Sequence, residues 1–269
     1  MSTRRVLTGV AAAVAVALTF AVAAPAAAAV GKQTKPTIVL VHGAFADSSS
    51  WNAVIPLLQA QGYPVVAAPN ALRGVQSDAA EVAALLKTIS GPIVLVGHSY
   101  GGSVISNAAE GNPNVKALVY VSAFAPEVGE SAASLSGKFP GSTLAQALAP
   151  PVALAGGGRD LYIDRAKFRD QFAADVPEAL AAQMGAGQRP ITEAALNEAS
   201  PAAAWKNIPS WFVYGTADKN IPPQALAFMA QRAGAKETVA VDGASHVVMV
   251  SQPDRVAQVI QNAAATATQ

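Results

Sequence analysis

At 269 residues, with 52% apolar and 13% charged side chains, the chain suits one α/β domain with an insertion, or two small domains, and has ample material for a core. It contains no cysteine, which excludes disulfide staples, thiol nucleophiles and cysteine-ligated metals together. Its 18 basic and 17 acidic residues nearly cancel, and no Lys/Arg cluster is interleaved with aromatics, so nucleic-acid binding has no electrostatic basis.

Residues 1–30 read as a separate object. Arg4 and Arg5 precede a long apolar run that ends in small residues around "APAAAA", the layout of a secretory signal peptide cleaved near Val30. Because residues 6–30 carry no charge, an uncleaved membrane anchor is the rival reading. The alanine-rich run only weakly favours hydrocarbon, so removal and no stable membrane insertion are expected. The destination is then the exterior, periplasm or cell envelope, and the paired arginines hint at twin-arginine export. Losing this segment removes two basic residues and no acidic one, which leaves a near-neutral mature domain.

From Pro36 onward, strands and helices alternate. "TIVLVH" (37–42), "PVVAAP" (64–69), "PIVLVG" (92–97) and "VKALVYVSA" (115–123) are β-branched or continuous apolar runs, as expected of strands buried on both faces. Between them lie helical patterns: one after the Asp47 and Ser48 to Ser50 cap candidates, one over 77–90 starting at Ser77 and Asp78, and "YGGSVISNAAEG". The alternation stops between about Pro126 and Pro209, an Ala/Gly/Pro-rich stretch read as a helical cap over residues 126–207. It resumes with "SWFVYG" (210–215), a helix near "PPQALAFMAQRAG", "ETVAV" (237–241) and a last helix from "QPDRV". The core is thus residues 31–125 and 208–269, a mostly parallel sheet covered on both faces. "AGGGRD" (155–160) lacks the Lys-Ser/Thr ending of a phosphate loop and reads as a flexible cap loop.

In such a sheet, functional groups gather at the strands' carboxyl ends. Those ends read "HGAF" (42–45), "GHSYG" (97–101), "GTADKNIP" (215–222) and "DGASHVVM" (242–249). Ser99 sits between Gly97 and Gly101, where larger residues would collide with strand and helix if Ser99 projects from a sharp turn. A serine hydroxyl needs a base. His98, adjacent to Ser99, is expected to point away and His42 to be held in its turn, which leaves His246. Asp218, just past the end of the preceding strand, suits the orienting acid; Asp242 and Glu127 are its rivals. The backbone N–H groups of Ala44 and Tyr100 are placed to receive an oxyanion. Phe45 and Phe124 are candidate substrate contacts. Trp51, Phe139, Tyr162, Phe168, Phe172 and Trp205 either line a pocket or pack the core.

"VLVHGAF…SSSW", "GHSYGG", "YGTADKNIP" and "DGASHVVMVSQPDRV", in this order, resemble the α/β-hydrolase superfamily, and in particular its small methyl-esterase and hydroxynitrile-lyase branch. The likeness covers residues 37–125 and 208–265. It implies an α/β-hydrolase fold with Ser99 as nucleophile, His246 as base, Asp218 as acid and an oxyanion hole at Ala44 and Tyr100. It also implies hydrolysis of a small-molecule carboxylic ester through an acyl-enzyme, with no metal or organic cofactor. A lyase or perhydrolase on the same triad, and a non-catalytic binding protein that kept the fold, are the alternatives.

Overall fold

The computed structural model describes residues 1–3, 9 and 35–267. The leader reading for residues 1–30 therefore falls almost entirely outside the described residues. Among the described residues no helix is long and apolar enough to cross a membrane.

Six strands form one sheet in which every pairing is parallel: β1 (Thr37–Val41), β2 (Val65–Ala68), β3 (Ile93–His98), β4 (Val115–Val121), β8 (Ser210–Gly215) and β9 (Glu237–Val241), in the order β2-β1-β3-β4-β8-β9. Every residue of β3 and β8 is buried, which explains their unbroken apolar runs, whereas edge strand β9 alternates between half-buried and exposed. Each large apolar side chain so covered contributes on the order of 1.5–3 kcal/mol relative to its exposed form. Strand ends fall within two residues of the sequence reading.

Helices cover the sheet. Gly74 precedes the helix Val75–Leu86, so that helix begins two residues before the expected Ser77–Asp78 start. Asp78 is buried inside its first turn and accepts from the Arg73 N–H through both carboxylate oxygens (3.1 and 3.2 Å). Helices Pro223–Arg232 and Pro253–Thr266 each start with proline in the first turn, where a missing N–H costs no bond.

Between β4 and β8 lie short helices, including Ala132–Ser136, Leu144–Ala147 and Arg165–Phe172. The stretch is not purely helical: β5 (Val152–Ala153), β6 (Arg159–Leu161) and β7 (Ile191–Thr192) form a second, antiparallel sheet. Of the expected loop at 155–160, residues up to Gly158 form the turn of the β5–β6 hairpin, and Arg159 and Asp160 belong to β6. Gly157 and Gly158, at φ +90° and +85°, reverse the chain there, and Leu154 N–H donates to Gly158 O. The glycines that suggested flexibility instead supply the dihedrals of a hairpin.

The parallel register brings the ends of β1, β3, β4, β8 and β9 to one edge, with Val41 opposite Gly97, Gly97 opposite Tyr120, Val121 opposite Val213 and Gly215 opposite Val241. All four non-glycine residues with positive φ among the described residues follow such an end or that of β2, whose Ala68 lies opposite Val41: Phe45 (59°), Leu72 (62°), Ser99 (54°) and Ser122 (42°). Backbone strain of about 1–3 kcal/mol per residue persists only where surrounding structure enforces it, and here it is confined to one face of the molecule.

Candidate active site

Ser99 links β3 to the helix Tyr100–Ala108 with φ 54° and ψ −124°. The turn is fixed on both sides: Ser99 N–H donates to Val121 O (3.3 Å), and Ser99 O accepts from Gly102 N–H (2.9 Å) and Phe124 N–H (3.1 Å). Two glycines make it sterically feasible. A Cβ on Gly97 would stand 2.6 Å from Gly101 O, and one on Gly101 would stand 2.6 Å from Val41 O. The turn after β1 lies equally close, since a Cβ on Gly43 would meet both His98 O and Ser99 Cβ at 2.6 Å. This approach brings Ala44 beside Ser99.

The three histidines have distinct hydrogen-bonding states. His42 Nε2 accepts from Asn70 N–H (2.9 Å), so its proton is on Nδ1 and faces Gly43 O (3.0 Å); burial lowers its pKa. His98 Nε2 lies 3.2 Å from His246 O, a carbonyl that can only accept, so Nε2–H is the donor there. Burial, with lesser contributions from its histidine neighbours, holds the pKa of His98 well below the usual histidine value and the ring neutral. Its ring does not line the cavity beside Ser99 and packs against His246 with centroids 4.8 Å apart.

His246 alone faces a carboxylate. Its Nδ1 is 2.6 Å from Asp218 Oδ2, and both side chains are almost completely buried. Because a carboxylate accepts, Nδ1 carries the proton and Nε2 presents its lone pair. His246 Nε2 has no hydrogen-bond partner among the described residues. The other Asp218 oxygen accepts from Asn220 N–H (2.8 Å) and Ile221 N–H (3.0 Å), which fixes the carboxylate orientation. Ala217 N–H donates to Ala244 O (3.0 Å) and ties the Asp218 loop to the His246 loop. The rival acids lie elsewhere: Glu127 pairs with Lys206 (2.5 Å) at the surface, and Asp242 accepts from Thr216 Oγ1 (3.1 Å) at an exposed turn.

Ser99 is 7% exposed and opens onto a cavity of about 320 Å³. Ala44, Phe45, Tyr100 and Phe124, all singled out from the sequence, line it as well. Tyr100 N–H heads its helix, and neither it nor Ala44 N–H donates to a protein acceptor among the described residues; Phe45 N–H is taken by Arg189 O (3.0 Å). Tyr100 is fixed from behind by its hydroxyl, which donates to Asp78 Oδ2 (3.0 Å). Burial, reinforced by the Asp78 charge, raises its pKa far above the ordinary tyrosine range, and burial likewise raises that of Asp78.

Other pocket residues were not legible from sequence. Ala132, Ser136, Ser142, Leu144, Leu148 and Leu196, all from the segment between β4 and β8, line the cavity, as do Asn220 and Ile221. None of the lining residues carries a charged side chain. The aromatics considered there go to other tasks: Trp51 packs edge-on to His98, Phe172 covers His246 with centroids 5.1 Å apart, Phe168 packs against Phe172 at a 45° tilt, and Trp205 Nε1–H donates to Pro126 O (2.8 Å).

A parallel sheet with a strained serine turn and a buried Asp–His pair at its strand ends defines an α/β hydrolase. The chain matches the Alpha/beta hydrolase family over residues 38–259 and belongs to it. Among curated proteins it is 28% identical to a pyrethroid hydrolase of Sphingobium wenxiniae over 254 residues (84% of this chain, 87% of the relative). It is 26% identical to salicylic acid-binding protein 2 of Nicotiana tabacum over 242 residues (81% and 92%). Among solved structures, polyneuridine aldehyde esterase superposes with a TM-score of 0.74 at 19% identity (85% of this chain, 99% of that chain). A pyrethroid hydrolase structure superposes with 0.69 at 25% identity (86% and 98%). The match places the chain among the α/β hydrolases, and the curated proteins it resembles include a hydrolase and methylesterases.

Proposed function

We propose that the chain hydrolyses a small, uncharged carboxylic ester through Ser99, His246 and Asp218. The reading rests above all on the buried 2.6 Å contact between Asp218 and His246, which leaves the Nε2 lone pair unpartnered in the one histidine that has a carboxylate to support it. Nε2 takes the Ser99 proton as Oγ attacks the ester carbonyl, and the oxyanion receives hydrogen bonds from the Ala44 and Tyr100 N–H groups. As the tetrahedral intermediate collapses, Nε2–H protonates the departing alcohol, leaving Ser99 acylated. Water, deprotonated by the same nitrogen, attacks the acyl carbonyl; the acid departs and Ser99 regains its proton. Asp218 holds the imidazole in the required tautomer and stabilises its charged form.

The cavity supports the substrate class. Its apolar side chains, Phe45, Phe124, Leu144, Leu148, Leu196 and Ile221, favour a neutral organic group, and no cationic side chain lines it to compensate an anion. Acting on such an ester outside the cytoplasm, after removal of residues 1–30, follows from the leader reading; the intact mass of protein recovered from culture medium tests that part.

Hydrolysis of short p-nitrophenyl esters and labelling by a fluorophosphonate probe test the mechanism. Wild type is expected to show both, and Ser99→Ala to lose both. Hydrolysis that survives in Ser99→Ala overturns the assignment of the nucleophile.

A further inference from the structure

The cavity beside Ser99 holds few polar groups, and their protons are almost all committed. The Ser136 and Ser142 hydroxyls both donate to Asn220 O, at 3.2 and 2.9 Å. The Tyr100 hydroxyl donates to Asp78. Asn220 differs. Its backbone N–H goes to Asp218, while its side chain makes one hydrogen bond, between Oδ1 and Gln171 Nε2 at 2.7 Å.

The orientation of both amides follows from the chemistry around Gln171. Its Nε2 lies 2.9 Å from Lys219 O, a carbonyl that only accepts, and its Oε1 accepts from Thr143 Oγ1 (2.8 Å). The atom of Gln171 that faces Asn220 is therefore a donor, and the atom of Asn220 that faces Gln171 must be the oxygen. The Asn220 NH₂ is turned the other way, and among the described residues it donates to no protein atom. Asn220 is only 4% exposed and lines the cavity together with Ser99, so this uncommitted NH₂ belongs to a residue of the cavity wall.

From this geometry we infer that Asn220 is a specificity-determining residue whose side-chain NH₂ donates to a neutral oxygen acceptor, a carbonyl or ether oxygen, on the part of the ester that fills the cavity. The inference rests on the reading of Ser99 as nucleophile and adds to it a polar requirement within an otherwise apolar pocket. A purely alkyl occupant would strip water from the NH₂ and leave it unpaired, whereas an oxygen acceptor satisfies it. A carboxylate would also accept, but the cavity has no cation to offset its desolvation, and Asp218 lies two residues away.

The test uses matched esters in which one methylene is exchanged for an ether oxygen, moved stepwise along the acyl and then the alcohol chain. Each rate is normalised to hydroxide-catalysed hydrolysis of the same ester. At one position of the scan, wild type is expected to favour the oxygen-bearing ester by about tenfold in kcat/KM, the value of one neutral hydrogen bond. In Asn220→Ala and Asn220→Leu that ratio is expected to fall to within about twofold of one, whatever the absolute rates. The absence of a favoured position in wild type, or a preference that persists in the variants, overturns the inference; the wild-type scan decides this without any variant. Turnover of all-carbon esters with no oxygen preference sinks the Asn220 role alone. Failure to cleave any ester, together with failure of Ser99 to react with fluorophosphonate, sinks the nucleophile reading and this inference with it.

Discussion

Asp218→Asn separates the chemistry of the site from its architecture. The carboxamide oxygen can take over the Oδ1 position and keep accepting from Asn220 N–H and Ile221 N–H, now at 2.8 and 3.0 Å. The NH₂ then replaces Oδ2, 2.6 Å from His246 Nδ1. A donor there forces Nδ1 to become the acceptor and moves the imidazole proton to Nε2, the atom that must take the Ser99 proton. Loss of the productive tautomer and of the charge that stabilises imidazolium lowers activity about 10³- to 10⁴-fold, on the order of 4–5.5 kcal/mol in the barrier. The fold loses only one charge-assisted hydrogen bond, about 2 kcal/mol, which lowers Tm by roughly 4–8 °C in a domain of this size. Asp218→Ala should behave differently. It leaves His246 Nδ1 and two backbone N–H groups unpaired in the interior, at about 1–3 kcal/mol each. Values of kcat/KM for p-nitrophenyl acetate, with calorimetric Tm for both variants, distinguish the two effects. An Asn variant that retains activity within tenfold of wild type would refute the role given to Asp218.

Ser99→Gly removes the nucleophile but relieves a φ of 54°; strain of 1–3 kcal/mol exceeds the entropic cost of glycine, so calorimetry should find Tm higher by a few degrees while esterase activity disappears. His42 and His98 have folded-state pKa values lowered by burial, so below about pH 6.5 the unfolded chain binds protons that the folded chain refuses. Stability is therefore expected to fall as pH drops through that value, by up to about 1.4 kcal/mol per pH unit for each histidine, and His98→Gln should reduce the slope by one proton's worth in urea titrations between pH 7 and 5. Glu127→Gln, which only loosens a surface pair with Lys206, should leave kcat/KM within twofold of wild type; a hundredfold loss in the same ester assay would make Glu127 the acid instead.

The framework was readable in the sequence because strands buried on both faces spell themselves out as continuous apolar runs, and because the elbow demands residues that nothing else demands. Gly97 and Gly101 could be assigned their steric role before any coordinates, and the collisions at 2.6 Å give that role its cause. The environment of His98 was not readable. Adjacent to Ser99 in the chain, it turns beneath the turn to meet a carbonyl 148 residues away, on the loop after β9, a contact that only the tertiary fold creates. The pocket was hidden for a similar reason: Leu144, Leu148 and Leu196 lie in an alanine-rich stretch without long periodic elements, and tertiary packing alone brings them over Ser99. Asp78 looked like a helix cap because acids commonly occur there; its partners, Arg73 N–H and the Tyr100 hydroxyl, give it a buried place supporting the site.

The segment between β4 and β8 does more than cover the site. The Asp218 loop is gripped from it by three stretches of chain: the Ser136 and Ser142 hydroxyls hold Asn220 O, Thr143 N–H holds Lys219 O (3.0 Å), and Gln171 bridges Lys219 O to Asn220 Oδ1. Asn220 then returns its own N–H to the carboxylate of Asp218. The residues that shape the cavity thus also orient the acid behind His246. A change in the cap that admits a different ester will therefore act on kcat as well as on KM, because the hydrogen bonds that define the pocket wall are also those that hold the Asp218 loop.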